Sequence, residues 1–436
     1  MRPIYLLLSI TLAYSFALFY RKRTNKNAPK TFFGRTIFVS NHPNSFMDPI
    51  IIGSISRPIV HFMTRSDVFK WWLQPVLWSS HMLPIFRQHD GGNTQRKNGK
   101  VFNKVNRALK LGRNILIFGE GFTDDTPIYG LKPIKKGAVR MGFTALEYCN
   151  WQKKIYIQAM GVNYSDRNTI GSDVIIDYQD KICLNDYQKS FAENPNKVIT
   201  DLTKELEKQM QNSVIYLTDH KETNFFRNLM GLDEHSFHPT LFNPTLTLSD
   251  RYNKAKLLAE KFNEISTNDD FLEFKKEAES YFSLIKRMNL SDDYVARASK
   301  EKLSRNPELM KMIALFPFAL IGWITCFIPY LSAKYITQKI MKRKVFWGSV
   351  KMMLAKLIGL IVLLPLSIFI FRFFNLSAWF GLLTFVFLPL FWRLSYEFQK
   401  EFVRFQTIGK IMKIDLTKFI KRRADLKENM NRFFQV

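Results

Sequence analysis

The chain has 436 residues, 47% of them hydrophobic and 40 of them phenylalanine, yet its formal net charge is +27. Such a length calls for roughly two or three folding units. Basic clusters lie beside the longest apolar runs, which points to membrane-flanking charge; no helix-turn-helix, zinc-finger or RNA-binding pattern is visible, so no nucleic-acid partner is expected.

In chain order, "IYLLLSITLAYSFALFY" comes first and ends at Arg21-Lys22-Arg23 rather than at the small residues of a cleavage site. An N-terminal membrane anchor over residues 1–24, or a pair of half-buried helices, is expected there. Residues 25–185 read as α/β material. "TIFVS", "NILIFGE", "KIYIQAMGV" and "SDVIIDY" are short apolar runs bounded by Gly, Asn or charge, with helical segments at 95–111 and 135–148 between them. That alternation predicts a mixed central sheet covered by helices. Residues 186–305 form an amphipathic helical region, with Ile199, Leu202, Leu206, Met210 and Val214 on one face. His235 and His238 stand three apart with no third ligand near, so a loop is expected and no metal. Cys149, Cys183 and Cys326 are too scattered for a metal site or a disulfide framework.

Residues 306–398 form the membrane hairpin region. Charge sets its expected path. If 309–331 crossed once, the basic loop at 332–353 would lie outside, against the positive-inside bias. With Pro317, Gly322 and Pro329 in it, this segment is therefore expected to dip in and turn back, while 357–373 and 377–394 make a hairpin. Residues 399–436 are a basic amphipathic tail suited to an anionic membrane surface.

The chemistry sits in the α/β part. "VSNHPNSFMDPI" places His42 and Asp48 in one tight segment with five residues between them, which reads either as a plain turn or as a charge-relay pair. "LPIFRQHD" then supplies Arg87, "NILIFGEGFTDD" supplies Glu120, Gly121 and Thr123, and "LKPIKKGAVRMG" supplies Lys135 and Lys136 at the mouth of a helix. Thr123 reads equally as a helix N-cap or a ligand contact, and Lys135 as a solvated neighbour of Lys136. Asn41, Asn44 and Ser45 read as turn residues.

These blocks, in this order, resemble the glycerolipid acyltransferase family, with "NHPNSFMD", "PIFR", "GEGFT" and "LKPIKKGA" in the places of its motifs and "MGVNY" in that of the fourth. The five-residue spacing and "PIFRQHD" set it nearest the glycerol-phosphate acyltransferase branch, while Gly119 where the family usually has proline and Thr123 where serine is commoner depart from the family's pattern. The resemblance implies a membrane-bound enzyme, its site facing the cytoplasm. It would move a fatty acyl group from acyl-CoA or acyl-carrier protein to a hydroxyl of glycerol 3-phosphate or lysophosphatidic acid, with no cofactor. His42 is then the general base, Asp48 its partner, and Arg87 and Lys136 the holders of an acceptor phosphate. Glu120 binds glycerol hydroxyls or holds Arg87, and Gly121 lets backbone approach the ligand. Another polar acceptor is one alternative. A catalytically silent, lipid-binding scaffold is the other.

Overall fold

The computed structural model describes residues 3–55, 59–71, 73–86, 94–121, 123–234, 236–238 and 245–434. It divides into two compact units, Met1–His220 and Lys221–Val436.

The first unit begins with α1 (Pro3–Phe19), β1 (Lys22–Lys26), β2 (Thr36–Ser40), α2 (Met47–Ile55), β3 (Val60–Arg65), α3 (Gln74–Ser79) and β4 (Met82–Ile85). It continues through α4 (Thr94–Lys110), β5 (Asn114–Phe118), α5 (Gly137–Tyr148), β6 (Tyr156–Tyr164), β7 (Asp173–Cys183), α6 (Gln188–Glu193) and α7 (Pro195–Asn212). The seven strands form one sheet in the order β1-β7-β6-β2-β5-β3-β4. Only β6–β7 is antiparallel, so the sheet is mixed and helix-covered as expected. Its centre is β2, fully buried along its length, as an apolar run flanked on both sides must be. Ile37, Val39, Ile115 and Ile157 of the strands pack with Val105, Val139 and Leu146 of α4 and α5. The α7 face joins the same core, with Leu202, Leu206 and Met210 almost wholly buried.

One feature of this unit differs from the sequence expectation. "KRTNK" carries no apolar period, yet it forms edge strand β1 on β7, because Lys26 pairs with the buried Asp177 and adjoining Arg21 with the buried Asp173. Helix α1 runs directly into that strand, buries Tyr5, Phe16 and Phe19, and packs on α2. Tyr5 and Ser9 both donate to the Gly53 carbonyl. Helix α1 is 17 residues long, about 25 Å.

The second unit holds α8 (Thr223–Leu232), α9 (Leu248–Ile265), α10 (Asp269–Arg287), α11 (Asp292–Lys300), α12 (Asn306–Ile340), α13 (Trp347–Phe373), α14 (Ala378–Ile411) and α15 (Thr417–Phe434). Helices α12 and α14, and the stretch Lys344–Phe373 that includes α13, are long and apolar enough to cross a membrane. The dip expected at 309–331 is absent: α12 continues through Pro317 and Pro329 for 35 residues. Gly322 is a point of close approach instead of a turn, since a Cβ there would stand 2.2 Å from the Phe391 carbonyl oxygen of α14. Ser395 donates to Ala319 O, and Trp323 meets Phe398 edge-on, so the two helices are tightly paired. Helix α15 packs on α9, α10 and α11, and its Arg423 is buried on Asp292 and Glu234.

Candidate active site

Strands β2 and β5 lie side by side and parallel, so the residues that follow them emerge together at their carboxyl ends, the edge where open α/β sheets bind ligands. Gly119 N–H donates to Ser40 O and fastens the two exits. On the other side of β2, the Asn41 side chain continues the pairing with β6: it accepts from Val162 N–H at 2.8 Å and donates to Val162 O at 3.1 Å. The chain then turns through Pro43–Phe46, with Ser45 at φ 49°, and enters α2. This turn brings His42 back over Asp48.

His42 Nδ1 lies 2.9 Å from Asp48 Oδ2. The imidazole also stacks on Phe118 at 4.0 Å between centroids, so both its tilt and its position are set. With Nδ1 committed to the carboxylate, Nε2 is the nitrogen open to a substrate proton, and the side chain keeps 20% of its surface exposed. Asp48 is wholly buried and accepts two further hydrogen bonds, from Asn44 N–H at 2.8 Å and from the Tyr164 hydroxyl at 2.7 Å. Burial first, then the Asp48 charge, pushes the Tyr164 hydroxyl well above its ordinary value, so it stays a donor. Such an arrangement can serve as a base held in one tautomer by a hydrogen-bonded counter-charge.

The other expected residues fall unevenly. Glu120 joins the site: its carboxyl interacts with the His42 backbone, and burial pushes it up to about 7. Gly121 turns at φ +69°, a left-handed conformation that favours glycine. A Cβ there would stand 2.8 Å from Lys135 Nζ. Lys135 is thus the ammonium against the glycine turn, whereas Lys136 points its Nζ to the Thr200 hydroxyl of α7. Thr123 is buried and caps nothing, because no helix begins between it and Gly137. Arg87 and His235 lie outside the described residues. Among the described residues no cluster of potential metal ligands forms.

Residues 20–163 match the family model described as Acyltransferase. The chain carries a domain of the acyltransferase family. That match ends one residue before Tyr164, the partner of Asp48 that the motif reading passed over. Arg167 was passed over as well; it bonds the loops on both sides of the candidate site. No curated protein matches the chain. Among solved structures it is similar to the 1-acyl-sn-glycerophosphate (LPA) acyltransferase PlsC from Thermotoga maritima, at 13% identity and a TM-score of 0.33, over 48% of this chain and 77% of that one.

Proposed function

We propose that the protein transfers a fatty acyl group from a thioester, acyl-CoA or acyl-carrier protein, to a hydroxyl of a phosphate-bearing glycerol, with glycerol 3-phosphate or lysophosphatidic acid as acceptor. The observation that carries this reading is the His42–Asp48 pair, built into an acyltransferase-family domain with Nε2 left open. His42 Nε2 takes the acceptor's hydroxyl proton as its oxygen attacks the thioester carbonyl carbon. The C–S bond then breaks, and the leaving thiolate receives the proton from His42. General-base help of this kind supplies about 10²–10⁴-fold, and Asp48 balances the imidazolium that forms. No acyl-enzyme is required. Lys135 at the Gly121 turn favours a phosphate on the acceptor, as a point charge does. The test is labelled acyl-CoA with the purified protein and a panel of glycerol 3-phosphate, lysophosphatidic acid, dihydroxyacetone phosphate and an amino-acid lipid. Labelled ester should appear with a phosphorylated glycerol; no ester with any acceptor refutes the reading.

The enzyme is proposed to be integral, with its site facing the cytoplasm, where such donors and acceptors are. The α12–α14 pairing adds a constraint on the path. Arg305, just before α12, lies over Phe405, and Lys311 lies near Glu401, while farther along Cys326 meets Leu388. The two helices therefore run antiparallel. If α12 and α14 both cross, they return the chain to the side where it entered, and on this proposed path the segment between them, α13 included, starts and ends on the far side without crossing. The proposed path puts residues 332–353 on the side opposite to the one expected from loop charge, and it is preferred here because a helix hydrogen-bonded through 35 residues cannot fold back on itself. Single cysteines at Lys342 and Lys421 test it: an impermeant thiol reagent outside the cell should label the first and spare the second. Equal protection of both would contradict the two-crossing path.

A further inference from the structure

Arg167 lies three residues beyond β6, and only 5% of it is exposed. Its guanidinium contacts two loops at once. Nη1 donates to Pro43 O at 2.7 Å, inside the turn between His42 and Asp48, and to Asp124 O at 3.1 Å. Nη2 donates to Asp125 O. In the reverse direction, Asn44 Nδ2 donates to Arg167 O at 3.1 Å. The base-bearing turn is thus gripped at two consecutive residues, and the loop behind Glu120 at two more. Burying a cation costs free energy that an apolar staple of the same size would not incur, so a purely structural role selects poorly for it. A planar fork does what no other side chain does here, because it reaches three carbonyl oxygens on two loops in a fixed geometry.

We propose that Arg167 is a positioning residue of the acyl-transfer reaction, setting the register between the His42–Asp48 turn and the Glu120–Gly121 loop. The proposal rests on the reaction assigned above. Base and acceptor-binding loop sit on different strand exits, and a misplacement of about 1 Å between them costs roughly 10²-fold in turnover. The experiment compares the full-length wild type with Arg167→Met, Arg167→Lys and Arg167→Ala. It reads kcat, both KM values, thermal unfolding, and the downfield proton resonance of the His42 Nδ1–H···Asp48 bond. Arg167→Met should lose about 10²-fold in kcat with donor KM little changed. Its resonance should broaden while the unfolding temperature stays near that of the wild type. Arg167→Lys should restore little, since one ammonium cannot span both loops. Methylguanidinium added to Arg167→Ala should recover turnover and sharpen the resonance. A Met variant with wild-type kcat and resonance overturns the proposal. So does a loss in all three variants that follows unfolding and is not rescued. An inactive wild type would instead refute the reaction, while the resonance would still report whether Arg167 holds the pair.

Discussion

Replacing Asp48 with asparagine isolates what its charge contributes. The carboxylate accepts from His42 Nδ1 and Asn44 N–H on one oxygen and from the Tyr164 hydroxyl on the other. An asparagine in the same rotamer can keep its oxygen toward His42 and Asn44 and turn its amide toward Tyr164, whose hydroxyl switches from donor to acceptor. Shape and tautomer then survive, and only the negative charge opposite the imidazolium is lost. Unit charges about 4 Å apart at an effective dielectric of ~20 interact by about 4 kcal/mol. At about 1.4 kcal/mol per decade that puts the ceiling of the loss near 10³-fold in kcat. His42 remains partly exposed, so screening brings the expected loss to roughly 10²–10³-fold. The assay is steady-state acyl transfer beside a thermal melt, with the melting temperature expected to move by only a few degrees. A variant that keeps kcat within tenfold of the wild type would refute the claim that Asp48 stabilises a charged His42 during the reaction.

Glu120→Gln tests the buried carboxyl through pH. Folding raises its value from 4.5 to about 7, so the folded state binds the proton more tightly than the unfolded one, and wild-type stability falls as pH rises through that window. Relative to Glu120→Gln, the wild type should match at pH 4 and lag by up to about 3 kcal/mol above pH 7 in denaturant melts; a gap independent of pH would refute this. Gly121→Ala forces a side chain into φ +69° and against Lys135 Nζ, which must move aside. The expected result is about 1–2 kcal/mol of lost stability and a several-fold higher acceptor KM with donor KM steady; an unchanged acceptor KM would remove Lys135 from acceptor binding.

Much of this arrangement was legible because it is local. "TIFVS" and "NILIF" announce themselves as buried strands by their apolar runs, and His42 and Asp48 are close enough in sequence for one turn to join them. The residues that complete the pair are not local. Tyr164 reaches Asp48 across 116 positions and Arg167 reaches Pro43 across 124, so no periodicity links them. The one available signal was that "MGVNY" ends at Tyr164, at the carboxyl end of a strand. Lys135 and Lys136 are adjacent, and composition cannot say which of them points to the Gly121 turn. Strand β1 was hidden because ion pairs with Asp173 and Asp177 replace the usual apolar pattern. In α12, Pro317 and Pro329 looked like breaks. Each removes one backbone donor, leaving the carbonyls of Ile313 and Thr325 without their helical partner, and the packed face of α14 keeps the helix continuous.

The most direct measurement is the rate of thiol release from acyl-CoA by purified wild type and His42→Ala, each with and without the acceptor that serves best. The account predicts acceptor-dependent release by the wild type, with one ester formed per thiol. His42→Ala should fall by several powers of ten while its helical circular dichroism and membrane attachment are unchanged. Near-wild-type release by His42→Ala would contradict it.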